Sequence, residues 1–206
     1  MKASSSIQIL VLTALAACAP FAGQSQDVAP LSIAGRVGYL TYTSSSNGPP
    51  PGAYNVTAYD QTTFHVLVGP STGLTGTYTF TKTATNTSLT ILNFLVGALP
   101  AVRTSRSVFA TPQSGTFTFT TTIAGQPSWG GGGEFEEVLY STITRSTNEF
   151  VLSWLGGRPP YAIQCATNPA FCQWTLLQTV NTNILTVPAV PGPNWFRIEG
   201  RSASEN

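Results

Sequence analysis

The chain has 206 residues, a formal net charge of +1 and only 8% charged residues against 42% hydrophobic and 11% aromatic. A soluble domain usually carries about a quarter charged residues, so threonine, serine, asparagine and glutamine must supply the polar surface here. The near-neutral balance, with no basic run, excludes a nucleic-acid binder that works by phosphate neutralisation, and the scarcity of Lys and Glu excludes long exposed helices.

The N-terminus reads as a targeting segment over residues 1–18. Met1 and Lys2 precede the mostly apolar run Ile7–Ala17 (IQILVLTALAA), which is too short to span a bilayer. Its end, Leu15-Ala16-Ala17-Cys18, resembles the lipobox of bacterial lipoproteins. That resemblance implies lipidation of Cys18 and attachment to the outer membrane or cell surface by the lipid alone; a plain secretory signal is the other reading. Residues 19–30 (APFAGQSQDVAP) are small and polar and read as a flexible tether.

From Leu31 to Glu137 the patterning has period two. Strands are predicted at Ile33–Thr43, Tyr54–Tyr59, Phe64–Val68, Thr75–Thr83, Ser88–Val96, Arg106–Ala110 and Ser114–Thr122. TGTYTFTKT at Thr75–Thr83 and SGTFTFTTT at Ser114–Thr122 put aromatics on one face and threonines on the other. They read as two equivalent strands of a meander. Turn chemistry separates the strands at Asn47–Gly52 and Gly69–Gly73, and Gly130–Gly133 reads as a flexible hairpin loop. Residues 31–137 are therefore expected to form an antiparallel barrel or meander that buries an aromatic face.

The texture changes over residues 138–200, leaving 201–206 as a tail. Strands are predicted at Ser141–Thr144, Phe150–Trp154, Tyr161–Gln164, Gln173–Val180, Asn183–Val187 and Trp195–Glu199, with Trp154 and Trp174 in the core. The set Leu152-x-Trp154, Tyr161-x-x-Gln164, Ala166-Thr167-Asn168, Trp174-Thr175 and Phe196-Arg197-Ile198 resembles the short fibronectin type III-like modules of secreted bacterial proteins. The preceding half is similar to the threonine-rich GTYTFTK β domains that accompany them. The resemblance implies an all-β protein, a barrel or meander followed by a small sandwich, and carries no catalytic residues. Sixty residues fall short of a full seven-strand sandwich of about 100, so an edge strand is expected to be missing.

Chemistry is sparse. His65 is the one histidine, and the only aspartates are Asp27 and Asp60; no G-x-S-x-G accompanies them. Glu134 and Glu136 share a strand face about 7 Å apart, a spacing that suits glycan hydrolysis or a hard cation, but equally a solvated strand. Trp129, beside the glycine run, is a candidate sugar-stacking or partner-anchoring aromatic. Cys165 and Cys172 lack the C-x-x-C spacing of a redox pair and the further ligands of a zinc site. With Cys18 lipidated they form an even pair in an oxidising compartment, flanking the turn starter Asn168-Pro169, so a Cys165–Cys172 disulfide is expected. The leading reading is a non-enzymatic exported surface protein, structural, adhesive or partner-binding, contacting protein or glycan at the cell envelope and needing no cofactor. A lipocalin-like binder of a small apolar ligand and a glycan-active enzyme using Glu134 or Glu136 are the alternatives.

Overall fold

The computed structural model describes residues 27–166, 174–189 and 195–201. Cys18, the targeting segment and Cys172 lie outside them. The described chain is all-β, and it divides between Glu137 and Val138 into two units, each with its own core.

The first unit is a closed barrel of eight antiparallel strands in simple chain order. They are β1 (Val37–Ser45), β2 (Tyr54–Tyr59), β3 (Thr63–Val68), β4 (Thr75–Ala84), β5 (Thr87–Val96), β6 (Leu99–Thr111), β7 (Ser114–Ile123) and β8 (Trp129–Glu137). The alternation in the sequence is the alternation of the wall. On β7, Phe117, Phe119, Thr121 and Ile123 are buried while Thr116, Thr118, Thr120 and Thr122 are exposed. β4 repeats the arrangement, with Tyr78 buried and Thr77, Thr79 and Thr81 exposed. Closure abolishes the two sheet edges that an open meander would present. It comes from β8 pairing β1, with Gly38 opposite Glu137 and Thr41 opposite Glu134.

Closure overturns the loop expected at Gly130–Gly133. All four glycines lie inside β8, paired on one side with Phe117–Thr120, and Gly131, Gly132 and Gly133 pair on the other with β1. A Cβ at Gly133 would collide with the Thr41 carbonyl, and one at Gly131 with the Ser44 carbonyl. Glycine is used here for close backbone approach, beside the irregularity between Tyr42 and Ser44 on β1, rather than for flexibility.

The inside is filled in stages. Phe64, Val66, Tyr78, Leu92, Phe94, Ala101 and Ile123 form one cluster, and Tyr42, Phe117 and Phe119 another. Val28 and Ala29, in the stretch read as a tether, are buried against Phe109, and the Ala29 amide donates to the Thr85 carbonyl at 2.8 Å. Asp27 pairs with Lys82. These last residues of the stretch thus form part of the barrel.

The second unit contains two three-stranded antiparallel sheets, ordered β13-β10-β9 and β12-β11-β14. The strands are β9 (Tyr140–Arg145), β10 (Glu149–Leu155), β11 (Arg158–Ala166), β12 (Thr175–Val180), β13 (Ile184–Pro188) and β14 (Trp195–Arg201). Leu152, Trp154 and Ile163 are almost fully enclosed, with Tyr161, Val187 and Phe196 around them. The Trp154 and Tyr161 rings meet edge to face at 5.2 Å. Trp174 does not join this core. It precedes β12, half-buried, with the Arg197 guanidinium 5.0 Å from its ring centre, a cation–π arrangement that leaves one face to the surface.

Candidate functional site

The residues singled out from the sequence do not converge. Glu134 is exposed and Glu136 half-buried on β8; they share the outer face as expected, and Glu136 also borders the barrel cavity. The next residue, Glu137, points the other way and pairs with Arg36 at 2.9 Å, both side chains 15% exposed. Arg36 also donates to the Pro112 carbonyl at 3.1 Å. His65 is exposed on β3, its Nε2 3.5 Å from an Asp60 carboxylate oxygen. Asp60 in turn accepts from the Thr63 hydroxyl at 3.1 Å. This pair sits on open surface rather than in a cleft. Among the described residues no group of three His, Cys, Asp or Glu side chains is close enough to hold a metal ion. Cys165 is half-buried on β11 and forms no disulfide among the described residues; Cys172 lies outside them.

Trp129 begins β8 and turns inward instead of standing free. Its ring lies edge to face with Phe119 at 5.4 Å, and it crowds Gly48 so closely that a Cβ there would overlap it. It covers one end of the barrel.

Within the barrel lies a cavity of about 110 Å³. Its walls are largely apolar, with Leu40, Phe64, Val66, Leu92 and Phe94, but a polar band of Asn55, Thr57, Thr90 and Ser105 crosses them. Pockets for drug-sized ligands begin near ~300 Å³, and this chamber is smaller. It has room for a few waters or one small molecule.

One charged side chain reaches this interior from the middle of β6. Arg103 shares the inward face with Ala101, Ser105 and Phe109. Its Nε donates to the Thr121 hydroxyl at 3.0 Å and its Nη1 to the Tyr42 hydroxyl at 3.3 Å. Tyr42, 1% exposed, also accepts from the Asn55 amide at 3.0 Å. The guanidinium carbon lies 4.6 Å from the Phe119 ring centre, 5.3 Å from Trp129 and 6.0 Å from Phe94. Among the described residues no carboxylate pairs with it. Nearby, burial pushes the Tyr59 phenol far above its ordinary range, Tyr42 and Tyr78 adding and Arg103 opposing. Tyr59 therefore stays neutral at physiological pH.

Arg103 lies outside the strand predicted from Arg106, so sequence parity does not reach it. The available signal is an arginine spaced by twos from Ser105, Ser107 and Phe109, which places it on an inward face. The chain matches no protein-family model, and no curated protein or solved structure is significantly similar to it.

Proposed function

We propose that this is an exported, non-enzymatic surface protein in which a β barrel makes partner contacts at the cell envelope. The observation that carries this reading is the tip of the β5–β6 hairpin. Leu95, Val96, Leu99 and Val102 are 59%, 44%, 41% and 41% exposed, in a barrel whose outer face is otherwise mostly threonine on β4 and β7. Val96 pairs with Leu99 across a two-residue turn that begins with Gly97 at φ 61°, a tight connection that holds the apolar side chains in place. A clustered apolar tip on a weakly charged surface suits contact with a protein or a glycan-bearing envelope layer.

The second unit is read as a fibronectin type III-like module. Its first, second and fifth strands share one sheet and its third, fourth and sixth the other. Immunoglobulin sandwiches likewise keep the first, second and fifth strands in one sheet and the third and sixth in the other, and the buried Trp154 lies in the core. Export, by a lipid on Cys18 or as a secreted form, rests on the targeting segment.

The test of the contact surface is Leu95→Asp with Leu99→Asp in the whole exported chain. Retention on envelope and glycan fractions is expected to fall at least tenfold while the circular dichroism is unchanged. Equal retention of variant and parent would remove the hairpin tip from the proposal.

The same environment implies the Cys165–Cys172 disulfide, closing an eight-residue loop worth about 2.5 kcal/mol in the chain-entropy treatment. Alkylation of the folded, unreduced protein is expected to leave both cysteines unmodified and to label both after reduction. Full labelling without reductant would discard the bond.

A further inference from the structure

We infer that the Arg103 end of the barrel cavity is a binding site for a small organic carboxylate. This goes beyond the contact surface proposed above and does not depend on it.

A guanidinium has five N–H groups and no acceptor. Arg103 uses one on Thr121 and one on Tyr42. The rest of the group is surrounded by the Phe94, Phe119 and Trp129 rings. These rings stabilise positive charge through their faces but accept no strong hydrogen bond. Arg103 is half-buried; a cation partly drawn out of water without an opposite charge is costly, and no carboxylate among the described residues lies within ion-pair distance of it. Two carboxylates also border the cavity: Glu137 is already engaged by Arg36, and Glu136 stands at the far end of β8 from Trp129 and forms no ion pair with Arg103.

Tyr42 adds a second donor. Its oxygen accepts from both Asn55 and Arg103, so its own hydroxyl hydrogen must point elsewhere. Tyr42 and Arg103 both line the cavity. An O–H and a partly used guanidinium fork together match the two oxygens of one carboxylate.

The remaining walls define the rest of the ligand. Leu40, Phe64, Val66 and Leu92 receive an apolar body. A cavity of ~150 Å³ accepts benzene, so 110 Å³ takes on the order of four to six non-hydrogen atoms. A single arginine balances one negative charge. A phosphate would bring up to two charges and three strongly hydrated oxygens into a mostly apolar chamber, so the carboxylate is the better match.

Butyrate is the probe, added to the isotope-labelled whole exported chain and followed by amide NMR shifts, with butanol and sodium chloride at equal ionic strength as controls. Saturable shifts centred on β5 to β7 around Phe94, Arg103 and Thr121 are expected with butyrate alone. Absence of saturable shifts up to tens of millimolar, shifts confined to the outer surface, or equal shifts with butanol would each overturn the site. In Arg103→Met the apparent affinity is expected to fall at least tenfold with the fold retained, and unchanged affinity in that folded variant would overturn the role of Arg103. Should Arg103→Met fail to fold, Arg103→Lys, which keeps the charge and loses the fork, is expected to weaken binding several-fold, and unchanged binding there would count equally against it.

Discussion

Gly133→Val is expected to keep the barrel from closing, at a cost of more than about 3 kcal/mol, beyond the usual range for overpacking. The expectation runs against local preference. Valine favours strands and glycine weakens them, so on an unconstrained strand the change would stabilise. At Gly133 the new side chain meets the Thr41 carbonyl on one side and the Phe117 ring at 3.1 Å. Behind that ring stand Tyr42 and Phe119, their centres 5.8 Å and 6.1 Å from it, so the wall cannot easily yield inward. Urea denaturation of the whole chain is the measurement, with hydrogen exchange on β1 reporting the seam. A variant as stable as its parent would mean that β8 is held at a distance that any residue tolerates.

Trp154→Ala is expected to remove about 3–5 kcal/mol from the second unit and to leave the barrel's own unfolding unchanged. Trp154 is 2% exposed and packs with Leu152, Tyr161, Ile163, Val187 and Phe196, all from the same unit. Phe64→Ala is the converse: Phe64 is 1% exposed and its cluster belongs wholly to the barrel. Scanning calorimetry with residue-resolved hydrogen exchange separates the two. Protection lost throughout the chain in either variant would show that the units unfold as one.

The strands that can be read from the sequence are those whose side chains declare two faces. β4 and β7 are found within a residue or two of their predicted bounds, because aromatic and threonine alternate without interruption there; β2, at Tyr54–Tyr59 as predicted, is bounded instead by the turn residues on either side. β8 is illegible for the opposite reason. A run of glycines has no faces to alternate, and its meaning lies in what stands opposite, the Thr41 and Ser44 carbonyls, some ninety residues away by the pairing rule that closes a barrel. The same holds for the site. That Glu134 and Glu136 share a face follows from strand geometry alone, whereas the Arg103 environment is assembled from Tyr42, Phe94, Phe119, Thr121 and Trp129 on other strands of the barrel. Trp129 reads as a free loop aromatic only because the glycines beside it read as a loop. Once β8 is a strand, parity turns its ring inward.

The pairing of β1 with β8 also has a mechanical consequence. Because Gly38 lies opposite Glu137, the chain enters and leaves the barrel at the same end, fastened there by Arg36 and Glu137, while the Val96–Leu99 turn lies at the other end. Tension applied between the chain before Arg36 and the chain after Glu137 does not load the seam's hydrogen bonds together. It peels them one pair at a time, beginning at the ion pair and working toward Gly131. The barrel is built to give way gradually under a pull on its two chain ends: the Asp27–Lys82 and Ala29–Thr85 contacts are met first, and the Arg36–Glu137 clasp guards the seam behind them.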